Sequence, residues 1–498
     1  MELAIALRYV MTTVRNEKEL ERRDRRIAQL EDLLRRRDAE IAALKKRVAE
    51  LEAVLKRREE ANASKKPRFT GDFSLQTQEK KLDKKKRRKR SPGRRRKETK
   101  LVQVAKTIDF YPRGVPHDRC TFSHDRLAWR LKNGRAVLIR YRIFKQHWCS
   151  PPDMPELLPR SEYGLEVAVV LAHLVYIVGV SINKARKLLE YFCHLSLSRS
   201  QANSLLNQLS GLWEGEFQTL TELMALAMVV YIDETGWKVS KQHCYTWIFT
   251  TLAHTVLLFG RTRDASVLDE ILPRGSFKGV GVSDDYSAYR NRFTRSQKCW
   301  SHLLRKAIAL MLAHPEKREY RRFFQRLLAL YREAKRHQQD QRLRRAGREQ
   351  RVVQLEDKLG AICTRWDEEL PEDAPQDAKD FLNLQKELMR CMVEESLFTF
   401  VLISEVEATN NRSERTARGP AEARHAGRTS KTDRGARRRS IVTSVLASTL
   451  QNVAHPTLAA VVDEVVRWRK SGVSLFRRQL QAIRDGTPIG PRAAVAGR

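Results

Sequence analysis

The segment "MVVYIDETGWKV" at residues 228–239 decides the fold class, because an apolar, β-branched run leads directly into two adjacent carboxylates. Two further β-rich segments follow after short polar breaks, "HCYTWIFTTLA" at 243–253 and "TVLLFGRT" at 255–262. Short breaks between such segments are typical of antiparallel hairpins. The three segments therefore predict consecutive strands, with Asp233 and Glu234 at the end of the first strand.

A fourth predicted strand repeats the pattern of an apolar run that ends in acids. After a short helix predicted from "DASVLDEIL" at 264–272, the segment "FKGVGVSDDYSAY" at 277–289 predicts a strand that ends at Asp284. Aspartate is a poor strand former, so acids at the ends of two strands indicate a role other than support of the sheet. The order of elements predicts an α/β fold, with a mixed sheet flanked by helices.

The two strand-terminal aspartates are candidate ligands for a divalent cation. Two carboxylates brought together repel each other, and one takes up a proton unless a cation lies between them. Mg²⁺ prefers oxygen ligands and keeps positions open for water and phosphate. Two such ions about 4 Å apart can activate a water or a 3′-hydroxyl in phosphodiester chemistry, which would need a third acid on a nearby helix. Either Asp233 or Asp284 alone could equally be a capping or solvated acid.

The charge of the chain indicates a polyanionic partner. Its 498 residues include 96 Lys and Arg against 60 Asp and Glu, a formal net charge of +36, and nucleic acid is the usual partner of such an excess. Seven scattered cysteines do not resemble a disulfide framework and favour a reducing compartment. The longest apolar run, at 167–182, is shorter than a membrane span. We therefore expect a cytoplasmic, nucleoid-associated protein that binds DNA and no membrane.

The N-terminal region carries a seven-residue repeat followed by a basic tract. Apolar residues recur at heptad positions from Leu20 to Leu55, a pattern that favours a parallel two-stranded coil. Residues 15–60 are therefore predicted to form a coiled coil that makes a homodimer. Residues 61–100, which include "KKLDKKKRRKRSPGRRRKETK" at 80–100, have almost no apolar residues in their basic part. They predict a disordered linker that binds phosphates without sequence preference.

Residues 101–160 predict a small module that resembles a degenerate zinc finger. His117, Cys120 and Cys149 could supply three zinc ligands. A fourth ligand would come from one of three nearby residues: His124, His147 or Asp153. Only His117 and Cys120 have a spacing typical of zinc sites, so these residues could equally be exposed groups of a small fold without zinc.

Residues 161–222 predict a helical region that resembles a helix-turn-helix. The segment 181–213 predicts two helices with a tight link, and Ser198 with Gln201 forms a capping-box pattern at the second helix. In a helix-turn-helix, base contacts come from the start of the second helix. The residues predicted to contact DNA there are Arg199, Gln201 and Asn203. An ordinary helical hairpin fits the same pattern.

Four blocks follow one another between residues 231 and 418: "YIDETGWKV", "GVSDDYSAY", "CWSHLLRK" and "FVLISEVEATNNRSERTAR". In this order they resemble the successive signatures of the insertion sequence 66 family of transposases, over roughly residues 100–450. The resemblance implies a ribonuclease-H-like catalytic domain at 223–450, with a helical insertion at about 303–397. A C-terminal helix and tail would occupy 451–498.

The resemblance also implies an Asp–Asp–Glu triad. The family's first acid corresponds to Asp233, the second to Asp284 and the third to Glu414, which lies in an Asn-Asn-x-x-Glu-Arg block. Asp285 stands where the family usually has glycine. Glu405 and Glu407 are rivals for the third position, but both precede the predicted helix.

The remaining residues of these blocks are expected to support the triad. Thr409, Asn410 and Asn411 are good helix caps, and Glu234 is expected to face away from Asp233 on the strand. Arg415 and Arg418 would meet phosphates. The other supporting residues are Trp237, Cys299 and His302, of which the last two form a C-x-x-H pair that is either metal-related or a packing motif.

The function implied by the resemblance is DNA transposition. A transposase of this family would use Mg²⁺ or Mn²⁺ to cleave DNA at the terminal inverted repeats of its element and join the ends to target DNA. Accessory proteins of the same element are further candidate partners. The alternatives are a regulatory or architectural DNA-binding protein with an inactive core, and a nuclease without joining activity.

Overall fold

The computed structural model of the chain describes residues 104–147, 149–159 and 161–486, together with Ala42 and Lys46. Apart from those two residues, the predicted coiled coil and basic linker lie outside the described residues, so both stay predictions. All elements below belong to one compact unit, Glu98–Arg498. In the described part of the chain, no helix is both long enough and apolar enough to cross a membrane.

The first module is a three-stranded sheet. Its strands are β1 (Val104–Phe110), β2 (Cys120–Lys132) and β3 (Arg135–Gln146), in the order β1-β3-β2, with β2 and β3 antiparallel and β1 parallel to β3. Asn133 and Gly134 have φ angles of 50° and 75°, the left-handed values that a two-residue hairpin turn requires. A module that resembles a degenerate zinc finger was predicted for residues 101–160, but the strands β1, β2 and β3 were not predicted.

This sheet has an apolar core of its own. The buried apolar residues that form the core are Ala128, Ile139, Tyr141, Ile143, Met154 and Leu157. The buried Arg130 at its edge is neutralised by Glu166, at 2.6 Å, and by Glu156, at 2.9 Å. Burial of an arginine requires such partners.

Four helices follow the first sheet: α1 (Leu165–Ala172), α2 (Ile182–Cys193), α3 (Arg199–Leu212) and α4 (Glu214–Ala225). The predicted capping box is present at α3, where the Ser198 hydroxyl accepts from the Gln201 amide and the Gln201 side chain accepts from the Ser198 amide. The apolar faces of these helices pack into the main core of the molecule.

The second sheet has five strands: β4 (Val229–Val239), β5 (Gln242–Thr250), β6 (Thr255–Arg261), β7 (Val280–Ser283) and β8 (Arg295–Lys298). Their order is β6-β5-β4-β7-β8. Strands β4, β5 and β6 are antiparallel, whereas β7 is parallel to β4 and β8 is parallel to β7. The predicted mixed α/β architecture is confirmed, and its order is consistent with a ribonuclease-H-like core.

The predicted end of the first strand is wrong. Strand β4 does not stop at Asp233 but continues to Val239, paired throughout with β5. Its pairing with the parallel strand β7 ends at Tyr231. Asp233 therefore lies just past the point where β4 and β7 separate, and a side chain there can point into the gap between them.

Seven α-helices lie along the chain between β6 and α12: α5 (Ser266–Ile271), α6 (Trp300–Ala313), α7 (Arg318–Gln339), α8 (Arg345–Ile362), α9 (Gln376–Val393), α10 (Thr399–Leu402) and α11 (Asn411–His425). Helices α6 to α9 occupy the predicted insertion. They share a buried apolar cluster with Tyr231, Val280 and Val282 of the sheet, so the insertion packs on the sheet as part of one core.

The chain ends in α12 (Asp433–Asn452), α13 (Leu458–Ser471) and α14 (Leu475–Arg484). Helix α12 covers the edge strand β6, whose backbone amides would otherwise lack partners. Serines four residues apart on one face of α12 accept these amides, each at 2.9 Å; the pairs are Phe259 with Ser440, Leu257 with Ser444 and Thr255 with Ser448. These three bonds fix the position of α12 along β6.

Candidate catalytic site

Asp233 is a partly buried carboxylate whose charge is unfavourable in this structure. The pKa of Asp233 is raised to about 7, first by burial and then by the negative charges of Glu234, Asp284 and Glu414. The backbone amide of Glu234 donates to the Asp233 Oδ1 at 2.9 Å, which opposes this rise. Electrostatic coupling of this kind requires proximity. The charges of Asp284 and Glu414 therefore act on Asp233, although the oxygens of the three carboxylates are not gathered within 4.8 Å of one another.

Asp284 immediately follows β7, on the side of the sheet edge where Asp233 lies. Its Oδ1 accepts the Tyr286 amide at 3.0 Å, and the Ser283 hydroxyl donates to its carbonyl at the same distance. Parallel strands present their carboxyl ends at one edge of a sheet, where ligands of α/β proteins are usually bound. The short local bonds hold the Asp284 side chain at that edge.

Glu414 enters the site from the first turn of α11. Its Oε1 accepts from the Arg305 guanidinium at 3.0 Å and lies 3.7 Å from the His302 Nδ1. The rival carboxylates are elsewhere: Glu405 is exposed, and Glu407 pairs with Arg412 at 2.8 Å. Neither Glu405 nor Glu407 is among the charges that raise the pKa of Asp233.

Asn410 fixes the start of α11 against the sheet. Its Nδ2 donates to the carbonyl of Ile232 at 2.6 Å, and its backbone amide donates to the Cys299 Sγ at 3.1 Å. Asn410 is the N-cap residue of α11, as predicted, but its side chain makes no capping hydrogen bond and is turned to the strand instead. The contact joins the residue before Asp233 to the helix that carries Glu414.

Cys299, His302 and Glu414 form the only group of three potential metal ligands within the described ranges, with ligand atoms within 4.8 Å of one another. Burial raises the pKa of the Cys299 thiol, so the thiolate that a metal would bind is disfavoured. Burial and the neighbouring Arg305 lower the pKa of His302. The Cys299 Sγ instead accepts the Asn410 amide, a contact that supports the start of α11.

Glu234 lies on the other side of β4 and is anchored away from Asp233. Its side chain is 3% exposed, and it accepts from the Tyr289 hydroxyl and, at 2.7 Å, from Arg263. Burial raises the pKa of Glu234 despite these donors. Sequence reasoning missed Tyr289 and Arg263, although Tyr289 closes the same block that contains Asp284.

Asp285 connects the site to the helical insertion. It accepts from Arg390 of α9 at 2.6 Å and from Arg290 at 2.9 Å, and it lies 3.4 Å from the Lys298 ammonium. Burial alone would raise the pKa of Asp285, but these cations hold it below its usual value. This ionic anchor is a structural reason for a carboxylate at a position where glycine was expected.

The other predicted residues occupy two different environments. Trp237 is buried and donates to the Ser430 hydroxyl at 3.2 Å, which ties the end of β4 to the segment before α12. Asn411, Arg415 and Arg418 are exposed on α11. The two arginines are thus accessible to a phosphate beside Glu414.

The predicted zinc ligands are not assembled in the described residues. His117, Cys120 and Cys149 do not form a group with metal-ligand distances. His117 instead stacks on Tyr111 with ring centroids 3.9 Å apart, and Cys149 is exposed in a turn beyond β3. In the described structure these three residues therefore do not offer a preassembled set of zinc ligands, and zinc binding stays a prediction.

The predicted DNA-contacting residues of α3 differ in availability. Arg199 is exposed, whereas the Gln201 carbonyl accepts the Ser198 amide in the capping box. That bond removes one of the two groups a glutamine uses to bind adenine. Asn203 donates to the Arg199 carbonyl at 3.0 Å and lies 3.4 Å from the Arg438 guanidinium, so it faces α12.

Replacing Asn410 by alanine is expected to lower the free energy of unfolding by about 1–2 kcal/mol, because the buried Ile232 carbonyl loses its donor. The Asn410 Oδ1 has no partner in the described structure, and its removal offsets part of the loss. Urea unfolding measures the effect. The neighbouring exposed variant Asn411→Ala should change stability by less than about 0.5 kcal/mol; equal effects would contradict the assigned contact.

Comparison with known protein families identifies the family of the chain. A family model described as "Transposase IS66 family" matches residues 160–438, which is more than half of the 498 residues. The matched region extends from the first helices to the start of α12 and includes all three carboxylates. No curated protein matches the chain at a significant level.

Proposed function

The chain belongs to the IS66 family of transposases, which implies a role in DNA transposition, and we propose that it cleaves and joins DNA at the terminal inverted repeats of its element. The observation that carries this proposal is the coupling of Asp233 to Asp284 and Glu414. Asp284 and Glu414 lie 51 and 181 positions after Asp233 in the sequence, yet both act on its charge, and a ribonuclease-H-like active site requires its acids to lie near one another.

The donor set suits Mg²⁺ or Mn²⁺. Asp233, Asp284 and Glu414 would hold the ions through carboxylate oxygens, the ligands these ions prefer. The raised pKa of Asp233, at about 7, is the behaviour of a carboxylate cluster that lacks a compensating cation. When bound, the ions would activate the attacking oxygen and stabilise the leaving oxygen of the phosphodiester.

The protein's own residues would orient and neutralise the substrate. Arg305, which contacts Glu414, occupies a position from which its guanidinium can move to a phosphate when the carboxylate turns to a metal. Arg415 and Arg418 are exposed on α11 and would contact the DNA backbone. Asn410 would keep Glu414 aligned with Asp233 through its bond to Ile232.

The proposed homodimer rests on the heptads of residues 20–55, which lie outside the described residues. A dimer would hold both ends of one element in a single complex, which joining requires. Its test is separate from that of the catalytic proposal, since a monomeric chain could still cleave a single end.

Purified full-length chain incubated with DNA that carries the inverted repeats of its element tests the function. We expect cleavage with free 3′-hydroxyls and joined products with Mg²⁺ or Mn²⁺, and neither with EDTA. Binding without metal-dependent cleavage would contradict the proposal and favour a regulatory protein. Cleavage without joining in the presence of target DNA would favour a nuclease.

The identity of the third acid is tested by parallel substitutions. Glu414→Gln is expected to lower the rate of joining about a hundredfold, since one metal ligand loses its charge. Glu405→Gln and Glu407→Gln should each change that rate by less than about threefold. Single-turnover joining assays measure all three variants. A larger loss in either control than in Glu414→Gln would assign the third position to that residue instead.

A further inference from the structure

A second basic feature lies outside the carboxylate site. A cavity of about 500 Å³ opens between the segment before α12, the start of α3 and the residues after α1. Six cations line it, and no carboxylate does; the cations are Arg199, Arg428, Lys431, Arg434, Arg438 and Arg439. Like charges gathered in one concave surface repel each other unless an anion occupies it.

Arg439 is the deepest of these cations. It is only 9% exposed, and its guanidinium lies over the rings of Trp237 and Phe259, 4.8 and 5.1 Å from their centroids. The ionisable groups that act on it are Tyr176, Arg438 and Arg428, none of which is a carboxylate. Buried arginines are normally neutralised, as Arg130 is in the first module.

The hydrogen bonds of Arg439 leave it incompletely satisfied. One terminal nitrogen donates to the carbonyl of Arg428 at 3.1 Å, whereas the Nε of Arg439 and that of its neighbour Arg438 have no partner within the described residues. Unpartnered buried donors are unfavourable. These two nitrogens are closed off from solvent, but the guanidinium groups that carry them line the cavity, where an anion would neutralise their charge.

The start of α12 adds a partial positive charge to the same cavity. Thr432 caps this helix of 20 residues by accepting the Gly435 amide at 3.1 Å, and both residues line the cavity. The amino terminus of a long helix favours anions. Asp433, the first residue of α12, is exposed and does not line the cavity.

The cavity is connected to the carboxylate site through β4. Ser430 pairs with Val239 at the end of that strand, and the Ser240 amide donates to the Ser430 carbonyl at 2.8 Å. Val239 lies six positions after Asp233 on β4, a length of about 20 Å along a strand. That length corresponds to about six base pairs of duplex DNA.

We propose that this cavity binds a backbone phosphate of the DNA, at a site separate from the carboxylates. Arg438 is held toward the cavity by Asn207, at 2.9 Å, and Arg199 projects from α3. The phosphate would neutralise the guanidinium and ammonium groups that line the cavity. The inference rests on the proposed action on DNA but on no chemistry at Asp233.

Inorganic phosphate tests the site itself. In metal-free buffer at constant ionic strength, phosphate in place of chloride is expected to raise the Tm of the full chain by about 2 °C at ten times its dissociation constant. The double variant Lys431→Gln/Arg434→Gln alters two exposed cations, so it should fold, and it should lose most of the shift. Arg322→Gln, an exposed cation of α7, is the control and should keep it. An equal shift in all variants would overturn the proposal.

Measurements of DNA affinity distinguish a DNA phosphate from small anions as the ligand of the cavity. The double variant should bind a DNA duplex about tenfold more weakly in fluorescence anisotropy, with a salt slope reduced by about one to two. Asp233→Asn should bind like the wild type, which separates this result from failure of the catalytic proposal. A phosphate-induced shift without any change in DNA affinity or salt slope would mean that the cavity binds only small anions, and the proposal would be wrong.

Discussion

Asp233→Asn is expected to lower the rate of strand transfer by about a thousandfold or more while DNA binding persists. The substitution keeps the size of the side chain and removes the charge at the point where β4 and β7 separate. A metal site of three carboxylates would lose the ligand that faces both others, and a loss of about 4 kcal/mol in transition-state stabilisation corresponds to this factor. Joining of precleaved ends under single-turnover conditions measures it.

The control for this result is Glu405, a carboxylate that also belongs to the matched residues 160–438 but does not belong to the proposed triad. Glu405 is exposed and accepts only from Ser404 in the described structure, so Glu405→Gln should retain nearly full activity. DNA affinity measured without metal should be unchanged in both variants. Strand transfer by Asp233→Asn at a rate within tenfold of the wild type would refute the proposed triad.

The location of Asp233 shows what the sequence could and could not predict. The apolar runs of β4, β5, β6 and β7 predicted four of the five strands of the second sheet, because buried strands have a distinct composition. Strand β8 was missed because its four residues, Arg295–Lys298, are polar. The acids in β4 suggested a strand end, but the antiparallel partner β5 extends the strand to Val239.

Contacts between residues that lie far apart in the sequence could not be predicted from local patterns. The ion pair of Asp285 with Arg390 joins residues 105 positions apart, and the bond of Asn410 to Ile232 joins residues 178 apart. No local spacing encodes such contacts. The hairpin between β2 and β3 is different, because the Asn133-Gly134 pair is a local pattern from which its turn could have been predicted.

The clustered acids that suit catalysis should also weaken the metal-free fold in a pH-dependent manner. The pKa of Asp233 is raised to about 7 in the folded chain and is about 3.9 in an unfolded one. The folded state therefore binds the proton more tightly, and its stability falls as the pH rises from about 4 to 7. Below that window the penalty is absent, and above it the penalty is complete.

Asp233→Asn should accordingly stabilise the metal-free chain, by at most roughly 4 kcal/mol at pH 8 and by about 1.5 kcal/mol at pH 5. Thermal or urea unfolding in EDTA at the two pH values measures the difference, with Glu405→Gln as a control that should show neither effect. Mg²⁺ at pH 8 should stabilise the wild type and have little effect on Asp233→Asn, since the cation relieves the same repulsion that the substitution removes. A variant less stable than the wild type at pH 8 would show that Asp233 supports the fold, and the interpretation of its raised pKa as a mark of a metal site would fail.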